Sequence, residues 1–289
     1  MEASLKLETL LEKIDALRKE MDMAGPLSAD TLARLDRKFR LEMNFHSNRM
    51  EGNSLEYGET KSLLLRNLTA NGKPLKDHLE MRGHDAALGK LKEIVVGDVK
   101  ITETLIKEFH RMLLVDPFND YPEFAPGTYK KRGNYLYNNA GERVDFLPPD
   151  QVGPALNQLI NYVDNALQKP KARKRKYRRD QYDVHPVVLA AQFHLRFVNI
   201  HPFADGNGRL SRLFMNFILM RCGFPPVVIY NEQRDEYYRS LDLTRDRETN
   251  DFIKFIASRM IATQEFYLSV ANGAPVEEDQ DWRKELPEG

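Results

Sequence analysis

The sequence predicts a mainly α fold carrying one small β-hairpin, and three observations point to it. Apolar residues recur three and four apart through most of the 289 residues. Proline and glycine punctuation concentrates in 115–148, and two strongly apolar stretches flank a single Gly-rich turn near position 206.

Taken in order, Leu5, Leu7, Leu10, Leu11, Ile14 and Leu17 define a first helix, which its mixed charge marks as a surface helix and not a signal peptide. After Gly25-Pro26 the pattern resumes over 29–44, then over 57–66, and again from 75 to 94, ending at Val95-Val96-Gly97-Asp98. The helix expected over 102–114 opens on Thr102, with Leu105 where a capping box would need an acid, so a simple cap is expected.

Between 115 and 148, Tyr135, Tyr137 and Phe146 flank the turn Asn138-Asn139-Ala140-Gly141, which reads as a loop bearing a hairpin. A helix over 152–167 leads into the basic run 169–179, read as a loop. Pro186 suits a helix start, because its missing N–H costs nothing there, and 187–200 is too apolar for a surface position. A second buried helix carries Leu210, Leu213, Phe214, Phe217, Ile218 and Met220 and stops at Gly223-Phe-Pro-Pro. Further helices are expected over 236–243 and 251–270, followed by a polar, acidic tail from Asn272 with the composition of a disordered segment. No internal repeat is present.

Lys plus Arg and Asp plus Glu each total 43, so zero formal charge excludes a global field for nucleic acid or membrane. The single Cys222 excludes an internal disulfide and suits a reducing compartment, and no apolar run approaches the roughly 18 residues of a membrane span. A cytoplasmic protein is expected.

The chemistry concentrates in His201-Pro-Phe-Ala-Asp-Gly-Asn-Gly-Arg-Leu-Ser-Arg212. Gly206, Asn207 and Gly208 open a helix, where free N–H groups and the positive end of the helix dipole favour an anion. Arg209 and Arg212, three apart in the first turn, are expected to reach one face and fork onto phosphate oxygens, and Asn207 has donors and an acceptor for the same ligand. Asp205 offers a hard oxygen for Mg²⁺, which shares its shell with phosphates and water. His201, on the far side of the turn, is the candidate general base. Phe203 is expected to pack beneath the loop. The turn matches neither a Walker loop nor a dinucleotide fingerprint.

This string resembles the signature of the Fic family at its fixed positions, and the resemblance extends over 185–223 and, more weakly, from 101 to the region 234–256. It implies transfer of AMP from ATP to a Ser, Thr or Tyr hydroxyl of a protein, on a multi-helix Fic fold with a hairpin flap. By position, His201 would be the base, Asp205 a magnesium ligand, and Gly206, Asn207 and Gly208 the phosphate nest. Arg209 and Arg212 would hold the β- and γ-phosphates. The flap would be about 134–146, aligning a target segment by strand addition. Lys130-Lys131, just before it, departs from the Arg often found there.

Upstream, Ser47-Asn-Arg-Met-Glu51-Gly52 is similar to the inhibitory-helix pattern of many Fic proteins, with Ser47 and Glu51 on one helical face. Glu51 is expected to pair with Arg212 and compete with the γ-phosphate. The resulting organisation is a helical region over 1–95 with the inhibitory helix at about 40–52, a core over 96–225, C-terminal helices over 226–271 and a tail over 272–289. Alternatives stay open: removal of AMP, transfer of UMP, phosphocholine or phosphate on the same core, or nucleic-acid binding through 169–179. The intact motif argues against the last. Assembly of like chains and the identity of the protein target are left open. His110, His185 and His194 read as core or cap histidines, and Tyr237 and Tyr238 as core residues within reach of an adenine.

Overall fold

Ser28 begins the element on which the site depends: its hydroxyl accepts the Thr31 N–H at 3.1 Å and starts a helix of 22 residues, Ala29–Met50. The structure, a computed structural model, describes residues 6–97, 99–114, 125–137, 141–167, 183–241 and 250–276. The basic run, the tip of the flap turn (138–140), the loop at 115–124 and the tail beyond 276 lie outside the described residues.

In chain order the helices are α1 (Leu7–Ala24), α2 (Ala29–Met50), α3 (Tyr57–Arg66), α4 (Leu75–Val96) and α5 (Glu103–Leu113). The hairpin of β1 (Tyr135–Tyr137) and β2 (Arg143–Asp145) follows, then α6 (Pro149–Leu167), α7 (Pro186–Ile200), α8 (Asn207–Arg221), α9 (Arg234–Leu241) and α10 (Asn250–Ala271). The mainly helical expectation therefore holds. The hairpin is antiparallel, with Tyr135 opposite Asp145, Leu136 opposite Val144 and Tyr137 opposite Arg143.

Local signals explain the element ends. Thr102 accepts the Leu105 N–H as a simple cap, Glu56 and Glu59 form a capping box on α3, and Pro186 occupies the first turn of α7. The segment expected over about 40–52 is the C-terminal part of α2, which runs unbroken from Ala29 and in which residues 41–48 are buried. It ends where Gly52 takes a φ of 92°, a left-handed conformation suited to glycine.

α1 is less of a surface helix than its charge suggests. Leu10, Ile14 and Leu17 are buried, Gln264 of α10 donates to the Ile14 carbonyl at 3.2 Å, and Asp15 lies 3.3 Å from His185. One core of buried side chains joins α1, α2 and α4–α10, so the three expected helical regions share a single interior. At its centre α7 and α8 lie side by side, and their junction carries the motif. Among the described residues no helix is long and apolar enough to cross a membrane.

Candidate active site

The turn between α7 and α8 is built by two left-handed residues. His201 caps α7 with a φ of 48°, and Gly206 caps α8 with a φ of 77°. A non-glycine residue in that region is uncommon and costs energy, which the surrounding packing must supply. Asn207 closes the loop: its Oδ1 accepts the Phe203 N–H at 3.0 Å and its Nδ2 donates to the Phe203 carbonyl at 2.9 Å. The Asn207 amide is thus consumed inside the loop, leaving its backbone N–H to face outward with the rest of the first turn.

Phe203 is fully buried beneath the loop, as the sequence suggests, and its ring stacks on His110 at 3.8 Å between centroids. His110 joins three segments. Its Nδ1 accepts the Gly127 N–H at 2.6 Å, and its Nε2 donates to the Asp205 carbonyl at 3.0 Å. That pattern defines a neutral imidazole, and burial pushes its pKa down to about 4.

His201 lies against the flap. Its ring stacks on Phe146 at 3.9 Å, and Nδ1 is 3.3 Å from the Val198 carbonyl, a donor geometry that leaves the Nε2 lone pair available. Burial, followed by the nearby Lys130 ammonium, pushes the imidazole down to about 4. Lys130 is itself buried, and its pKa is pushed down to about 8. Its Nζ donates to Asn134 Oδ1 at 2.8 Å, and its backbone N–H donates to the Pro202 carbonyl at 3.0 Å. The base of the flap and the start of the motif are therefore bolted together by one lysine.

The two motif arginines do not share a face. Arg209 is 1 % exposed and turns inward, with Nη1 3.3 Å from Glu80 on α4 and Nη2 3.5 Å from Asp205. Arg212 turns toward α2. Its Nε donates to Ser47 Oγ at 2.9 Å, and its Nη2 donates to the Ser47 carbonyl at 2.9 Å and to Glu51 Oε1 at 2.6 Å. Burial opposes the Arg212 charge, but the Glu51 carboxylate outweighs it and holds the guanidinium above its ordinary pKa. Gly208 makes the approach possible, because a Cβ there would collide with Glu51 Oε1 and sit 3.1 Å from Arg212 Nη1.

Asp205 is the open member of the group, its side chain 55 % exposed. One of its oxygens accepts the Gly206 N–H at 2.6 Å, which fixes the carboxylate beside the nest. Gly52, next to Glu51, follows the end of α2 in a left-handed turn, its N–H donating to the Arg49 carbonyl at 3.1 Å.

Behind Arg212 lies a buried polar chain. Tyr237 stands 3.5 Å from Arg212 Nη1, its hydroxyl is 3.0 Å from His194 Nε2, and that nitrogen is 3.0 Å from Ser211 Oγ. Tyr237, His110, His185 and His194 are buried, in agreement with their reading as core positions, whereas the Tyr238 ring is partly exposed. Sequence reasoning missed Glu80, Lys130 and Phe146 as neighbours of the motif, and none carries a signal in its own vicinity that would find it.

Comparison with known proteins follows the same outline. Residues 100–219 match the model of the Fic/DOC family. Over 272 residues the chain is 32 % identical to a protein adenylyltransferase Fic of Drosophila melanogaster, covering 93 % of this chain and 49 % of the relative. The counterpart from Aedes aegypti is 33 % identical over 267 residues, 91 % of this chain and 48 % of the relative. The chain thus spans about half the length of the curated relatives it matches. The crystal structure of a Fic domain containing signaling protein from Bacteroides thetaiotaomicron superposes with a TM-score of 0.81 at 31 % identity, covering 93 % of this chain and all of that one. With 31 % identity to that Fic domain protein over its full length, and residues 100–219 matching the family model, the chain belongs to the Fic/DOC family.

Proposed function

We propose that this protein transfers AMP from ATP to a Ser, Thr or Tyr hydroxyl of another protein, and that Glu51 restrains the reaction. One observation carries the reading: a carboxylate of the chain's own α2 lies over the first turn of α8, bonded to Arg212 and resting against Gly208. A helix N-terminus with a forked cation beside it is an anion site, and Glu51 stands where a phosphate oxygen would bind. The adenylyltransferase names of the insect relatives support the choice of nucleotide.

In this reading the backbone N–H groups at the start of α8 and Arg212 hold the phosphates. Arg209 acts from behind the loop, fixing Asp205 through its buried pairing with Glu80. Asp205 suits Mg²⁺, because its hard oxygens are open to solvent beside the nest and this ion keeps several waters when it binds with a nucleotide. When bound, the ion would neutralise phosphate charge.

The target hydroxyl oxygen attacks the α-phosphorus, the bond from that phosphorus to the β-bridging oxygen breaks, and pyrophosphate leaves. The hydroxyl proton passes to His201 Nε2, which is unprotonated near neutral pH because burial and Lys130 hold its pKa low. Arrival of the anionic nucleotide offsets the Lys130 charge and raises the basicity of the imidazole when it is needed. The flap supplies the path for the target, with Tyr135 and Tyr137 exposed on β1 and Phe146 seated on His201.

Labelling with α-labelled ATP, γ-labelled ATP and labelled UTP tests the assignment. Label from α-labelled ATP alone is expected. Transfer of the γ-label, or preference for UTP, would contradict it.

A further inference from the structure

A second cavity, of about 390 Å³, opens between α2, α10 and the segment preceding α9. Its volume reaches the lower end of small-molecule sites and would hold about a dozen waters at ~30 Å³ each. Lys38, Phe39 and Glu42 line it from α2, nine to thirteen residues before Glu51, or on the order of 14–20 Å along the helix at 1.5 Å per residue. It is therefore separate from the nest.

The wall carries Lys38, Arg259, Glu42 and Glu265, but both carboxylates pair with lysines. Lys38 and Glu42 pair at 2.7 Å, and Glu265 pairs with Lys13 at the same distance. Arg259 of α10 is left over: it is 7 % exposed, and its Nε has no hydrogen-bond partner among the described residues. Glu236 acts on it only through space, and burial holds its pKa below the ordinary value. A buried guanidinium without an acceptor is costly, and a carboxylate satisfies it with a forked pair of bonds. Apolar lining comes from Phe39 of α2 and Phe266 of α10, whose rings stand edge to face at 6.2 Å.

We infer that this cavity binds a small organic carboxylate with an apolar body, its anionic end on Arg259 and its body against Phe39 and Phe266. The occupant would touch the helix that carries Ser47 and Glu51.

Benzoate, with benzamide as its neutral counterpart, is the probe. Saturation-transfer NMR on the full chain should show benzoate binding at least about tenfold more tightly than benzamide, since a hydrogen bond to a charged group is worth about 1.5–3 kcal/mol. Arg259→Met should remove that preference. Ala262→Phe, which fills the cavity from a partly exposed position while keeping the guanidinium, should abolish binding of both without changing the melting temperature. No transfer to benzoate up to its solubility limit, equal binding of benzamide, or unchanged benzoate binding in Ala262→Phe would overturn the assignment. Should Arg259→Met fail to fold, the Ala262 variant decides alone.

Discussion

Glu51 Oε1 lies 2.6 Å from Arg212 Nη2, joining the C-terminal end of α2 to the second turn of α8. The Ser47 hydroxyl and carbonyl hold the same guanidinium from one turn earlier, while the Tyr237 hydroxyl stands 3.5 Å from its Nη1. In the proposed reaction a nucleotide must displace this carboxylate. The predictions below follow from that competition and from the packing around it.

Glu51→Gly should raise ATP affinity and AMP incorporation by about tenfold or more. The pair is partly buried, with the Glu51 side chain 26 % exposed, so the value of about 2–5 kcal/mol typical of fully buried charge pairs is an upper bound on the advantage that the phosphate gains. Calorimetric titration of ATP into both proteins measures it, and equal affinities would refute the competition.

Gly208→Ala tests the same contact through stability. In an otherwise unchanged chain the added Cβ meets Glu51 Oε1, so the substitution should destabilise by about 1–2 kcal/mol despite the higher helix propensity of alanine. In the Glu51→Gly background that collision is gone, and the change should become neutral or favourable. A double-mutant cycle by urea denaturation reads the coupling.

Lys130→Met should raise the His201 pKa from about 4 toward 6.5, because one of the two influences that lower it disappears while burial remains. The general base is competent only when unprotonated, so the acid limb of kcat/KM should move to higher pH. NMR titration of the His201 ring supplies an independent reading.

His110→Phe keeps the stacking on Phe203 but leaves the Gly127 N–H and the Asp205 carbonyl without their partner. Two orphaned polar groups should cost about 2 kcal/mol or more. Activity should fall with stability, since the loop that holds Asp205 loses its anchor. Unchanged melting would remove His110 from the account.

Acid should destabilise the fold earlier than its carboxylates alone would require. His46 and His84 are held near 3 and His110 and His201 near 4, chiefly by burial, and His194 lies well below its ordinary value. With folded values below the unfolded 6.5, the unfolded chain binds more protons in between. Their contribution is complete above about pH 6.5 and is lost as pH falls toward 3–4. Denaturation midpoints measured between pH 8 and pH 4 should drop within that window.

The helical scaffold was legible because its signals are local. Thr102 and Pro186 each mark a helix start within a few residues, and α3 has the bounds that its pattern predicts. The motif was legible because glycine, carboxylate and arginine must stand together to bind a phosphate. What was hidden is long-range. Arg209 reads as a phosphate clamp, and its pairing with Glu80, far away in the sequence, carries no local signal. Lys130, inside Lys130-Lys131-Arg132, has the look of a solvated charge run, yet the flap and the motif close over it. The charged first helix likewise conceals a buried stripe, visible only once α10 packs against it.

The central claim is that Glu51 occupies, on Arg212, the place of a nucleotide phosphate, beside a reactive His201. Intact-mass spectrometry of the Glu51→Gly protein incubated with ATP and Mg²⁺, next to the wild-type chain and Glu51→Gly/His201→Ala, tests it most directly. Addition of AMP to the single variant, with much less on the wild type and none on the double variant, is the predicted result. Equal labelling of the single variant and the wild type, or undiminished labelling of the double variant, would contradict it.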